Sequence, residues 1–495
     1  MAIIRSKKQE MYRLVDSRLP EEITIITVIV ALSVLLIFSI LLTFSPGLFN
    51  HVSVVKPIET FILKVSEGVG FAAITYYQII WIYIPLGLIG LWRWSIWIFK
   101  KSSSLLYYPI SNCNDEHLHK YSIITPVYNE DPTIFQDAIE SWIQNKPDEI
   151  IGVIDHNDKN CIEVFQRISI DRSFMKLIVI DKPGKRPALA EGIREARNKI
   201  VALVDSDTIW EKDIRNSILS PFKDPTIGGV TTRQHPIERR TIWQKITDIF
   251  WDMRNYYDLP AQTAMGQALS CLSGRTSLYR KDIIEGSLDE FLNEIVLERK
   301  KESGEDKCLT RIVHSKGWKT YYQSNAVIYS YAAPDFKTFW SQRLRWSRNS
   351  HNSDLVSLWD GWAWKHPFLA FHIIDRFISI FTLFFGPIFF GVALVMNQYI
   401  LALSILALWM IGRAIKIIPH LKRYPKDITL LPIYVVINFI SAFVKLYALV
   451  TIRDQKWIRS KNRKIGTSQL KNIKNLILTS EIISCLIFVV IYIIK

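Results

Sequence analysis

Apolar residues gather in long runs towards the two ends of the chain and in short runs through its middle, and the two patterns predict different structures. Ile23 to Phe44 is about 22 residues without a charge, enough to span roughly 30 Å of hydrocarbon at about 1.5 Å per residue. Phe71 to Ile98 is a second such run, with Arg93 as its single charge and Trp92, Trp94 and Trp97 near its end. Phe377 to Asn397 and Tyr399 to Ile417 read as two helices joined by a very short turn, and Leu476 to Ile494 closes the chain. Ile428 to Ile452 is equally apolar, but basic residues on both flanks call for the same side of a membrane. A re-entrant or interfacial hairpin bent near Pro432 satisfies both flanks.

The middle is built differently. Tyr121 to Val127, Glu149 to Ile154, Lys176 to Ile180 and Ile200 to Val204 are strand-like apolar runs, separated by helical spacing over Asp131 to Gln144 and Ala188 to Asn198. Strands alternating with helices predict an α/β domain with a parallel-rich sheet, whose ligands bind at the carboxyl ends of the strands. Polar motifs sit at those ends: Tyr128-Asn129-Glu130, Asp155, Lys185 and Asp205-Ser206-Asp207.

Composition and charge complete the organisation. A chain of 495 residues with 49% hydrophobic residues is too apolar for an ordinary soluble enzyme. Arg5, Lys7, Lys8, Arg13 and Arg18 precede the first span, which puts the N-terminus in the cytoplasm and returns the chain there after the second span. This basic leader, with no small-residue cleavage pattern after Ile23 to Phe44, argues against a cleaved signal. Residues 1–104 are then an N-terminus with two spans, and 105–332 a cytosolic domain. Residues 333–366 are interfacial helices, and 367–495 C-terminal helices with a basic loop near 453–475. The net charge of +15 suits anionic headgroups; the basic residues lie beside apolar runs and no nucleic-acid motif is present, so no nucleic-acid partner is expected. Five cysteines without paired spacing predict neither disulfides nor a structural metal.

The motifs specify a chemistry. Two carboxylates two residues apart, Asp205 and Asp207, can divide between a ribose hydroxyl and a hard divalent cation, Mg²⁺ or Mn²⁺, that steadies a departing diphosphate. Alone, such a run caps a helix as readily. Lys185 follows a Pro-Gly turn that brings backbone close to a phosphate, and Arg186 doubles the charge. Asp155, or equally Asp158, can accept from a uracil edge. A sugar hydroxyl is a poor nucleophile and needs a carboxylate to take its proton. Glu305 and Asp306 open a helical stretch, and their mutual repulsion can raise one pKa.

In order and context, Asp-Ser-Asp, Gly304-Glu-Asp306 and Gln342-Arg-Leu-Arg-Trp346 between membrane helices resemble the processive membrane-bound family 2 glycosyltransferases, the hyaluronan, chitin and cellulose synthases. Pro183 to Arg186, Val204 to Trp210, Ile227 to Gln234 and Cys271 to Thr276 are most similar to the type 3 capsular polysaccharide synthases, which use UDP-glucose and UDP-glucuronate. The resemblance implies a GT-A-type domain on a helical transmembrane channel. It implies Asp306 as catalytic base, and Asp155, Lys185, Asp205, Gln342 and Arg345 around the donor. Asp207 would hold the metal, and Trp346, Cys271, Gly274 and Arg275 would hold the acceptor. Where those synthases carry a Trp-Gly-Thr-Arg gating motif, this chain reads Asp454 to Ser460, so Trp457 and Arg459 stand in at a different spacing.

The expected function is therefore an inverting, metal-dependent polymerase of the plasma membrane, multi-pass, with a cytoplasmic catalytic domain. It would act as a monomer or small homo-oligomer, take UDP-sugars and extrude a nascent polysaccharide among membrane lipids. Arg233, Arg275 and Arg348 suggest a uronate-containing product. The rivals are a neutral β-glucan or chitin synthase, a non-processive lipid-linked transferase, and a degenerate binding or transport protein.

Overall fold

The structure is a computed structural model that describes residues 73–112, 119–181, 184–395 and 397–453. The first and last predicted spans, Pro183, Trp457 and Arg459 lie outside the described residues. The described residues fall into two compact units, one within residues 95–384 and 398–453, the other within residues 73–94 and 385–397.

Helix α1 (Ala73–Leu105) takes in the second apolar run. The α/β part then follows as β1 (Tyr121–Val127), α2 (Pro132–Ile143), β2 (Glu149–Asp155), α3 (Lys159–Ser169), β3 (Met175–Ile180), α4 (Lys185–Glu195), β4 (Ile200–Val204) and β5 (Ile209–Trp210). Its second half holds β6 (Ile227–Pro236), α5 (Ile242–Met253), β7 (Thr276–Arg280), a small hairpin of β8 (Ile295–Val296) and β9 (Arg299–Lys300), α6 (Glu305–Ser315) and β10 (Lys319–Ser330). Helix α5 continues through a π-helical stretch, Arg254–Asp258, into Leu259–Ala264. Local sequence explains the starts. Asp131 accepts from Thr133 N at 2.9 Å to cap α2, Asp158 caps α3, and Thr241 with Gln244 forms a capping box on α5. Helix α4 begins three residues before the predicted Ala188. Lys185 therefore lies in its first turn, behind Gly184 at φ 128°, and no side chain caps that end.

The strands form an eight-stranded sheet in the order β3-β2-β1-β4-β7-β6-β10-β5. The β1/β2, β2/β3, β1/β4 and β6/β10 pairs are parallel, as alternation predicts, whereas β4/β7, β6/β7 and β5/β10 are antiparallel. The sheet is thus mixed rather than simply parallel-rich. Hydrophobic periodicity fixes which face a side chain takes, but carries no information about strand direction. Alternate residues go to opposite faces: Ile123, Ile150 and Ala202 pack under Phe135, Trp142 and Phe165 of α2 and α3. Ile124, Ile151 and Val201 pack under Leu189, Ile193 and Leu309 of α4 and α6. The approach of α4 is close enough to require glycine, because a methyl on Gly192 would stand 2.4 Å from Ile124 Cγ2.

After the sheet come α7 (Phe336–Trp359), α8 (Pro367–Val395), α9 (Tyr399–Lys416) and α10 (Leu431–Val450). Helix α7 carries Gln342 to Trp346 and is capped by Asp335, which accepts from Thr338 N at 2.9 Å. Among the described residues two helices are long and apolar enough to cross a membrane, Pro367–Val395 and Pro425–Val450. The second begins with a 3₁₀ stretch, Pro425–Leu430, and Pro432 sits in the first turn of α10, where its missing N–H costs nothing. From Leu431 to Val450 the segment is one unbroken helix.

Gly192→Ala should force α4 away from β1 and lower the apparent melting temperature of the purified protein by several degrees, on the order of 1–3 kcal/mol of overpacking. Gly90→Ala, where a methyl would meet nothing within 4 Å, is the control and should leave melting unchanged. Equal melting of both variants would contradict the packing described.

Candidate active site

The carboxyl end of β4, the start of α4 and the start of α6 meet in one cleft lined by Lys185, Asp205, Gly274, Glu305 and Asp306. At its centre Lys185 Nζ lies 2.6 Å from Asp205 Oδ1 and 2.5 Å from Glu305 Oε1. Burial works to strip the proton from Lys185, but the two carboxylates outweigh it and raise its pKa. Burial likewise pushes Glu305 up, yet the Lys185 ammonium, its hydrogen bond and Arg345 bring that carboxyl down to about 2. Repulsion between Glu305 and Asp306 therefore does not make Glu305 a base; it is a lysine partner.

Asp306 has a separate environment. Its Oδ1 accepts from Lys307 N at 2.8 Å, and its Oδ2 accepts from Cys271 Sγ at 3.4 Å. Burial first, and then the Asp306 charge, push the Cys271 thiol up to about 12, so it stays a thiol and a donor. Gly274 fits against the same groups: a methyl there would come within 3.3 Å of Glu305 Oε1 and Lys185 Nζ and 3.7 Å of Asp306 Cβ.

Arg275 extends the cleft towards α7. Its guanidinium lies 4.3 Å from the Trp251 ring centroid and 5.4 Å from that of Trp346. It also donates to Gln234 Oε1 at 3.1 Å and Ser330 Oγ at 3.2 Å. Burial lowers its pKa, while the charges of Asp205, Asp207 and Asp306 oppose that fall, so Asp207 also acts on this region. Ser206, between the two aspartates, donates to Glu130 Oε2 at 2.7 Å and fastens this turn to the end of β1.

Several expected residues have other occupations. Asp155 Oδ1 accepts from Asn157 N at 2.9 Å and Asn157 Nδ2 at 3.0 Å, closing the turn after β2. Asp158 accepts from Glu130 N at 3.1 Å besides capping α3. Arg186, expected to double the charge beside Lys185, is only 3% exposed; its Nη2 lies 2.6 Å from Glu294 Oε2, and its Nη1 donates to the Phe291 carbonyl. Arg348 donates from Nε and Nη2 to Thr451 Oγ1 at 2.9 and 2.7 Å, joining α7 to the end of α10. Arg233 lies over Tyr256, 5.2 Å from its centroid. Of the three arginines expected to meet a uronate, Arg275 is the one that stacks on Trp346 and feels the Asp205, Asp207 and Asp306 charges. Gln342 and Arg345 are half-buried on α7. Glu305 as a lysine partner, Trp251 and Gln234 are the additions that motif reading missed. Gln234 did lie in a segment singled out for its likeness, whereas Trp251 lies on an amphipathic helix with no motif spacing to betray it.

Carboxylates suited to a divalent cation occur in two places. His235, Asp248 and Asp252 bring ligand atoms within 4.8 Å of one another. There Arg239 Nε lies 2.6 Å from Asp248 Oδ2, and Arg423 Nη1 donates to both Asp252 oxygens at 2.7 and 2.8 Å. Two guanidiniums already supply the positive charge, so this cluster does not need a cation. The Asp205-Ser206-Asp207 turn fits one better. Its two carboxylates are hard oxygen donors of the kind a divalent cation takes, and one of them, Asp205, lines the cleft that holds Lys185.

Residues 119–349 match the family described as glycosyltransferase like family 2. The chain is 26% identical over 358 residues to a type 2 glycosyltransferase of Zymoseptoria tritici, covering 68% of this chain and 74% of that protein. It is 25% identical over 384 residues to a hyaluronan synthase of Streptococcus pyogenes, covering 75% and 90%. Among solved structures it is similar to the mannosyltransferase PcManGT from Pyrobaculum calidifontis in complex with GDP-Man and Mn²⁺. That likeness has a TM-score of 0.50 and 17% identity over 74% of this chain and 97% of that one, a likeness of fold. Residues 119–349 thus match the glycosyltransferase-like family 2 description and carry a GT-A-like α/β fold.

Proposed function

We propose that the chain is a multi-pass membrane polysaccharide synthase that transfers sugars from UDP donors to a growing chain and passes that chain outward. The observation that carries this reading is the cleft itself: a lysine held between two carboxylates, a separate aspartate 3.4 Å from a thiol, and an arginine between two indoles. The hyaluronan synthase relative and the apolar helices support a membrane-bound polymerase.

The residues divide the work. Lys185 would exchange its hold on Asp205 and Glu305 for shared contact with a diphosphate, and the uncapped start of α4 adds partial positive charge there. Asp207, with Asp205 beside it, would hold Mg²⁺ or Mn²⁺, which when bound offsets charge on the departing diphosphate. Asp306 accepts the acceptor hydroxyl proton as that oxygen bonds to the anomeric carbon; the bond from this carbon to the diphosphate breaks, and the configuration inverts. Trp346 offers its ring to the acceptor sugar, with Arg275 at its side. Arg275 also suits a uronate carboxylate, which favours a product built from UDP-glucuronate and a neutral UDP-sugar. A neutral product is the second reading, because Gln234, Ser330 and two indoles already satisfy part of this guanidinium.

Asp207→Asn should abolish polymer formation and weaken UDP binding in Mn²⁺, with metal-free binding little changed. Wild-type activity that survives excess chelator would refute the metal role. Asp306→Asn should lose roughly 10²- to 10⁴-fold in rate at nearly normal UDP affinity. Glu305→Gln should instead loosen Lys185 and show mainly in donor affinity, and a reversal of these two patterns in single-turnover assays would exchange their roles. Incorporation of radiolabelled glucose or N-acetylglucosamine should require UDP-glucuronate. High-molecular-weight product from one neutral donor would establish the second reading.

A further inference from the structure

Helix α6 starts with Glu305 and Asp306, yet no side chain caps it: its N-cap is Gly304, in the left-handed region at φ 79°. An uncapped first turn frays unless something else holds it. Here two external contacts bracket Asp306. Three residues before it, Ser303 Oγ donates to Asn349 Oδ1 at 2.9 Å, and both residues are buried. One residue after it, Lys307 Nζ lies 3.3 Å from Asp354 Oδ1, a carboxylate whose other oxygen accepts from Arg376 Nη1 at 2.6 Å. Asn349 also lies flat against the turn, since a methyl on Gly304 would be 3.1 Å from its Cγ. From the opposite side Arg186 Nη2 donates to the Ser303 carbonyl at 3.2 Å.

Asn349 and Asp354 belong to α7, the helix that carries Arg345 and Trp346 in its first half. Five residues separate the two holding points, about 7.5 Å along a helix. The acceptor shelf and the proton-accepting carboxylate are therefore set by one rigid element. We infer that Asn349 is a positioning residue for Asp306: through Ser303 it fixes the turn that aims the base at the sugar bound on Trp346. This rests on the transfer reading above. Asn349 touches no reacting atom, so its effect should appear in turnover and not in donor affinity. A buried amide that merely finds a partner would affect stability alone.

The test is a double-mutant cycle in the full-length protein, Ser303→Ala, Asn349→Ala and the pair. Its readouts are UDP release from UDP-sugar, UDP affinity and amide hydrogen exchange over residues 304–308. Each single variant should lose roughly ten-fold in UDP release with UDP affinity unchanged, since a small misplacement of a base is costly. The double variant should lose the same ten-fold and not a hundred-fold, because both changes remove one bond. Exchange over residues 304–308 should accelerate in every variant. Full turnover in either single variant, losses that multiply, or UDP affinity falling in step with turnover would overturn the inference. If the wild type releases UDP from no UDP-sugar, the transfer reading fails instead. The clamp is then decided by exchange alone, and unchanged exchange in Asn349→Ala would refute it.

Discussion

One half-buried cation, Lys185, holds the site together. Its contacts at 2.6 and 2.5 Å with Asp205 and Glu305 join three stretches of sequence up to 120 residues apart. Each of the three charges is partly withdrawn from water, and removing one would leave another short of a partner, which is costly. The first turn of α4, the end of β4 and the first turn of α6 are consequently brought to one point by charge as well as by packing. The arrangement also separates two adjacent acids: Glu305 is paired with Lys185, whereas Asp306 accepts from Lys307 N and Cys271 Sγ.

Much of the first half of the domain was legible. Continuous apolar runs between helical segments match β1, β2, β3 and β4 nearly residue for residue; β1, β2 and β4 are buried on both faces and so have little freedom in composition, and β3 is an apolar edge strand. The second half was not, since β6, β7 and β10 carry polar residues such as Thr231, Gln234 and Gln323 that are buried at the site or in hydrogen bonds. Those residues break the apolar pattern for functional and structural reasons. The start of α4 was also misplaced, because Lys185 and Arg186 are charged and look like a loop, although Arg186 is buried against Glu294.

The site residues were legible as types and order, and less so as partners. Asp205, Lys185, Gly274 and Asp306 do converge. Nothing in the spacing distinguishes Arg186, which points into the core, from Lys185 beside it, because adjacent residues of a helix face directions about 100° apart. Nor does spacing separate Arg348, which ties two helices together, from Arg275, which faces the cleft carboxylates. Long-range pairing decides such roles, and a linear pattern contains it only implicitly.

The π-helical stretch Arg254–Asp258 has its own consequence. Such a stretch carries i→i+5 bonds, one residue wider than an α-turn, and is frequent at functional sites. Before it lies Trp251, against Arg275; within it Arg254 donates to the Cys271 carbonyl at 2.9 Å and Asn255 to the Gln234 carbonyl at 2.9 Å. Removing one residue would restore an ordinary α-helix and turn everything on one side of it by about 100° relative to the other. The helix would survive, but its phase would no longer let Trp251 before the stretch face Arg275 while Gln262 after it accepts from Ser270 N. At this position chain length, more than residue identity, is the quantity that cannot vary.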